Sequence, residues 1–91
     1  MQFAFIIMGD FTPTTHRASF PGAEMVGVSS VEEACAVAKE QKAAGVDCIE
    51  LCGAFEEAGA RAVIEATGGE VPVGYVVHLP EQDALFKALF G

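Results

Sequence analysis

Short apolar runs alternate with amphipathic stretches along the whole chain, and this alternation sets the first expectation about its architecture. Residues 2–8 are apolar at almost every position, the pattern of a strand covered on both faces, so an inner strand is predicted there. Gly9 and Asp10 end it. Thr12 followed by Pro13 has the form of a helix N-cap with proline at the first helical position, which predicts a short helix to about Phe20, stopped by Pro21 and Gly22. A brief second strand follows over residues 25–28. Ser29 with Glu32, or Ser30 with Glu33, has capping-box spacing. Val31, Ala34, Cys35 and Ala38 then share one face of a helix, and Gly45 stands where a left-handed C-cap belongs. Residues 46–52 read as the third strand, 54–67 as a helix stopped by Gly68 and Gly69, and 71–77 as the fourth strand. A last helix opens at Pro80 and gathers Leu85, Phe86, Leu89 and Phe90 on an apolar face.

Strand then helix, repeated, is the signature of an α/β domain with a mostly parallel sheet. All of residues 1–91 fit into one such domain. Right-handed crossovers allow two architectures: an open three-layer sandwich around a four-stranded sheet, or half of a (βα)8 barrel. The open sandwich is the primary expectation. In either, the turns after the strand C-termini meet at one edge of the sheet, where ligands bind in these folds.

That edge selects the candidate chemistry. Glu50 interrupts the apolar third strand, and a carboxylate inside a doubly covered strand costs several kcal/mol unless it is paired. It is therefore the leading candidate for a general acid or base, or a metal ligand, with hydrogen bonds from a neighbouring turn or a pairing to Arg17 as the structural alternative. His78 ends the fourth strand on the same edge and completes a proposed catalytic pair with Glu50 if the third and fourth strands are neighbours. Asp10 follows the first strand. His16 and Arg17 form an anion-receiving pair in a chain with only 5 lysines and arginines, unless Arg17 merely balances acids such as Glu24. Ser29 and Gly53 begin helices whose free N–H groups suit an anion. Cys52 lies beside Gly53 at the mouth, either as a thiolate or as a small hydrophobe. Cys48 cannot bridge to Cys52, because strand geometry sets them ~13 Å apart. Cys48 and Cys35 are assigned to the core.

Composition narrows the partners. Hydrophobic residues make up 52% of the chain, more than a small monomer needs, which points to a homo-oligomer. No apolar run reaches the roughly 20 residues of a membrane helix, and no signal-peptide pattern opens the chain, so a cytoplasmic protein is expected. Three cysteines without scaffold spacing fit a reducing compartment. A net charge of −8 repels nucleic acid and anionic membranes. No metal motif, dinucleotide fingerprint, phosphate loop or nucleophile elbow is present, so the sequence names no cofactor.

The run from Gly45 to Phe55, centred on Ile49-Glu50-Leu51-Cys52-Gly53-Ala54-Phe55, resembles a family of small prokaryotic domains of unknown function, with His16-Arg17 upstream and Val71-Pro72-Val73-Gly74 downstream. The resemblance spans most of the chain. It implies a compact α/β domain and no catalytic residues. Over one unit the same rhythm is also similar to strands of (βα)8 aldolases, whose strand-end lysine is missing here. Three functions follow. The first is an oligomeric module that binds a small polar or anionic molecule at the sheet edge through Arg17, Glu50 and His78. The second is a lyase or isomerase moving a proton between Glu50 and His78, assisted by Asp10 or Cys52. The third is a structural subunit that docks through its last helix.

Overall fold

The computed structural model describes all of residues 1–91. Five strands make one sheet in the order β2-β3-β1-β4-β5: β1 (Phe3–Met8), β2 (Arg17–Phe20), β3 (Ala23–Val28), β4 (Cys48–Leu51) and β5 (Val73–Tyr75). All neighbours are parallel except β2, which runs antiparallel to β3 at the edge. Three helices complete the chain: α1 (Val31–Ala43), α2 (Glu56–Ala66) and α3 (Asp83–Phe90), with 3-10 turns at Gly53–Phe55 and Pro80–Gln82.

The helix expected before Phe20 is a strand instead. Thr12 closes a single turn by accepting the N–H groups of Thr15 and His16, and the chain then pairs with β3. One turn of helix is a poor competitor, since nucleation fixes several residues for one hydrogen bond. Pro21-Gly22 is thus a hairpin turn rather than a helix stop, and Gly22 holds the positive φ of 87° that the second turn position demands. The sheet therefore has five strands, not four, and is mixed.

The three-layer expectation is also corrected. The connections β3-α1-β4 and β4-α2-β5 move in the same direction along the sheet, so right-handed crossovers place both helices on one face. Ala4 and Ile6 of β1 are buried with Val26, Val28, Ile49 and Leu51 in the core beneath α1 and α2, to which Val37 and Val63 contribute. Phe3, Phe5 and Met25, pointing the other way, remain substantially exposed. The first strand looked doubly covered because it is apolar on both faces, yet only one face is packed. No helix is long and apolar enough to cross a membrane.

Candidate functional site

The parallel strands end together, and beyond their C-termini lies a groove of about 1090 Å³. Its floor is the end of β1 (Ile7 and Met8) and its wall is the turn Cys52-Gly53-Ala54. The other wall is Tyr75 to His78, leading out of β5, and the exposed helix α3 adds Phe86, Lys87 and Phe90 to the lining. The 3-10 turn is held against β5, because Gly53 approaches the Val76 carbonyl so closely that a Cβ there would sit 3.2 Å from it.

Four polar features mark this groove. His78 Nε2 and Asp83 Oδ1 are 2.6 Å apart, and the imidazole stacks on Phe86 with ring centroids separated by 4.0 Å. The carboxylate and the phenyl ring together fix the orientation of the imidazole, and its Nδ1 has no protein partner. Cys52 Sγ accepts the Met8 N–H at 3.2 Å, which ties the cysteine to the end of β1. Glu56 has φ 57° and ψ −174°, a region almost reserved for glycine, at the junction of the 3-10 turn and α2. Such strain costs about 1–3 kcal/mol and concentrates at functional sites. Lys87, also lining the groove, makes no ion pair within the chain.

Of the residues singled out from sequence, Cys52, Gly53 and His78 meet here. The others lie elsewhere. Glu50 projects from the uncovered face of the sheet, half-buried, with its carboxylate folded over Gly74 and accepting the Cys48 thiol at 3.6 Å. No hydrogen bond or ion pair joins it to His78, whose partner is Asp83, or to Arg17. Cys48 shares that face and is only half-buried, not a core residue. Burial first, and then the Glu50 charge, push its thiol pKa up, so it stays a protonated donor near neutral pH.

Arg17 donates Nε–H to the Pro13 carbonyl and lies 3.6 Å from both Glu24 and Glu40, which leaves the cation internally neutralised. Glu24 also accepts the amide of the buried Gln41. His16 Nδ1 accepts the Thr12 N–H, with Phe11 edge-on to the ring. Ser29 gives both its N–H and its hydroxyl to Glu33, so the chain's own carboxylate fills that helix start. Asp10 is exposed in the bend after β1 and makes no side-chain contact of this kind. No three of the His, Cys, Asp and Glu side chains gather closely enough to hold a metal ion.

Glu56, Asp83, Phe86 and Lys87 are groove residues that sequence reasoning passed over. The spacing of His78 and Asp83 across Leu79-Pro80 was the available signal, since proline starts a turn that brings residue 83 back toward 78.

A family model described as "Family of unknown function (DUF6506)" matches residues 1–91. No curated protein and no solved structure matches the chain.

Proposed function

The chain belongs to that family of unknown function, so its own geometry is the premise, and we propose that it binds a small molecule with an apolar body and one anionic group. The ligand body lies along Ile7, Val76, Phe86 and Phe90, and its anionic end meets Lys87 and the imidazole of His78. One observation carries this reading: four separate segments converge on a single groove at the C-terminal edge of a parallel sheet, with a strained residue, Glu56, on its rim. Apolar walls with a few placed polar groups are the usual makeup of small-molecule sites. Lys87 makes no ion pair within the chain, whereas Arg17, Lys42 and Arg61 are paired with its own carboxylates, and an unpaired cation in the groove favours an anion.

The test uses anilinonaphthalene sulfonate, which has apolar rings and one sulfonate, read by fluorescence titration against a neutral naphthalene analogue. Lys87→Glu or His78→Ala is expected to weaken sulfonate binding by roughly ten- to a hundred-fold, the worth of one charge-assisted hydrogen bond. Phe5→Ser, on the uncovered sheet face, should change it little. Equal binding in all three variants would remove the groove from consideration.

A second reading is favoured by the His78–Asp83 pair. An imidazole oriented by a carboxylate, with its other nitrogen free, lines the same groove as Cys52, and a base could serve that thiol if the two came within hydrogen-bond reach. It replaces Glu50 with Cys52 as the partner of His78 in an enzymatic role. If this holds, His78→Ala slows alkylation of Cys52 by iodoacetamide about ten-fold or more, whereas an unchanged rate leaves binding alone.

A further inference from the structure

A second, smaller hollow adjoins the groove. It holds about 310 Å³ and is lined by Glu57, Ala60, Arg61 and Ile64 of α2 and by Val73 and Tyr75 of β5. Tyr75 and Glu57 line both spaces, so the two meet at those side chains. Register explains why Tyr75 stands at the corner. It pairs with Leu51, whose side chain is buried beneath the helices, so its ring belongs to the helix-covered face of the sheet. Since β5 is an edge strand and Tyr75 is its last residue, the ring has the groove beyond the strand ends on one side and the α2–β5 hollow on the other.

The geometry points to Tyr75 as the residue that sets ligand length: the groove takes a linear aliphatic chain with an anionic head, and the tail ends against the Tyr75 ring, which keeps it out of the hollow. This rests on the groove being a site for an amphiphilic anion, and it names the chemistry of the apolar body. The path from head to ring is the first reason. His78, which meets the head together with Lys87, is three residues from Tyr75, so the two Cα atoms lie at most about 11 Å apart. Val76 and Val77 form the wall between them, with Ile7 and Met8 as the floor, and this aliphatic lining suits a chain. The ring of Phe86 is already stacked on His78. The hollow itself is the second reason. Ala60, Ile64 and Val73 continue the apolar lining past the ring, and Ile64 is 38% exposed there. Glu57 and Arg61 neutralise each other at 2.8 Å on its rim, so it offers a tail no unpaired charge.

Each methylene buried in the groove raises affinity by about four-fold. Once the tail reaches the ring, a further methylene must push a packed side chain aside, which costs at least as much as its burial contributes. Affinity therefore stops rising at one chain length. Without the ring, groove and hollow become one slot, and longer tails run on over Ala60, Ile64 and Val73.

The chain has one tyrosine and no tryptophan, so its intrinsic emission reports on Tyr75 alone. Hexanoate, octanoate, decanoate, dodecanoate and tetradecanoate, each below its micellar concentration, are titrated against bound anilinonaphthalene sulfonate, and tyrosine emission is recorded in parallel samples without the dye. In the native chain affinity is expected to climb about four-fold per methylene and then level off, and the length at which it levels is the length at which tyrosine emission first changes. Tyr75→Ala should carry the rise on to tails about two carbons longer, a gain of about ten-fold or more for the longest acids, with hexanoate unaffected. Tyr75→Phe keeps the ring and should keep the native plateau. Adding Ile64→Asp to Tyr75→Ala should cancel the gain. Tyr75→Val, which suits a strand, replaces Tyr75→Ala if circular dichroism shows that variant to be misfolded. An unchanged plateau in the truncated variant, a plateau without a change in tyrosine emission, or dye that no carboxylate displaces would each overturn the assignment of Tyr75 and leave the groove as a site. Failure of the dye and of every carboxylate to bind would overturn both.

Discussion

Glu56 holds a backbone conformation that an L-residue with a Cβ resists, and its place on the groove rim connects local strain to the site. Replacing it with glycine removes the steric cost but adds chain entropy to the unfolded state, and the first term is the larger. Glu56→Gly is therefore expected to raise the unfolding free energy by about 1 kcal/mol in urea denaturation, while loosening the turn that shapes the groove. Glu33 shows the opposite use of a carboxylate. It accepts the N–H and hydroxyl of Ser29 while Ser30 Oγ accepts its own N–H, a complete cap for α1. Those bonds from Ser29 hold its pKa below the ordinary 4.5. A folded-state pKa below the unfolded one means that the contribution is full above the unfolded value and disappears as pH falls through the folded value. Glu33→Gln should thus lower the melting temperature near neutral pH and flatten its fall as pH drops below the ordinary 4.5, as followed by circular dichroism.

Elements differ in how firmly the rest of the molecule holds them. Ile49 of β4 is fully buried between β1, β5 and the helices, whereas every residue of α3 is exposed and is held through the His78 ring stack and the His78–Asp83 hydrogen bond. Ile49→Ala is expected to cost about 2–5 kcal/mol, through lost burial and the cavity left behind. Removing residues 83–91 should shift the melting temperature by only a few degrees and abolish the groove's binding of the sulfonate probe. A collapse of stability on truncation would show α3 to be part of the fold's foundation. The capped start of α1 was readable in sequence because Ser30 and Glu33 interact across three residues. The short strand β2 was not: Arg17-Ala18-Ser19-Phe20 has no strong preference of its own and becomes a strand through pairing with β3, which lies beyond the turn.

For the molecule as a whole, acidity is the dominant long-range property. Thirteen acidic residues against 5 basic ones oppose compaction, and screening relieves that repulsion. Raising sodium chloride from low to moderate concentration should therefore raise the melting temperature, as seen by calorimetry; a fall would point to specific ion pairs outweighing net charge. The α/β class, the positions of β1, β3, β4 and β5, and the helices α1 and α2 all followed from the linear pattern. Each rests on neighbours within a few residues: caps, apolar periodicity and turn dipeptides. Strand order, the single covered face and the partners of the polar groups were decided only in three dimensions. Glu50 shows why. Alternation along β4 fixes that it lies opposite Ile49 and Leu51, but whether that side meets helices or water depends on the direction in which two crossovers travel, and no local spacing records it.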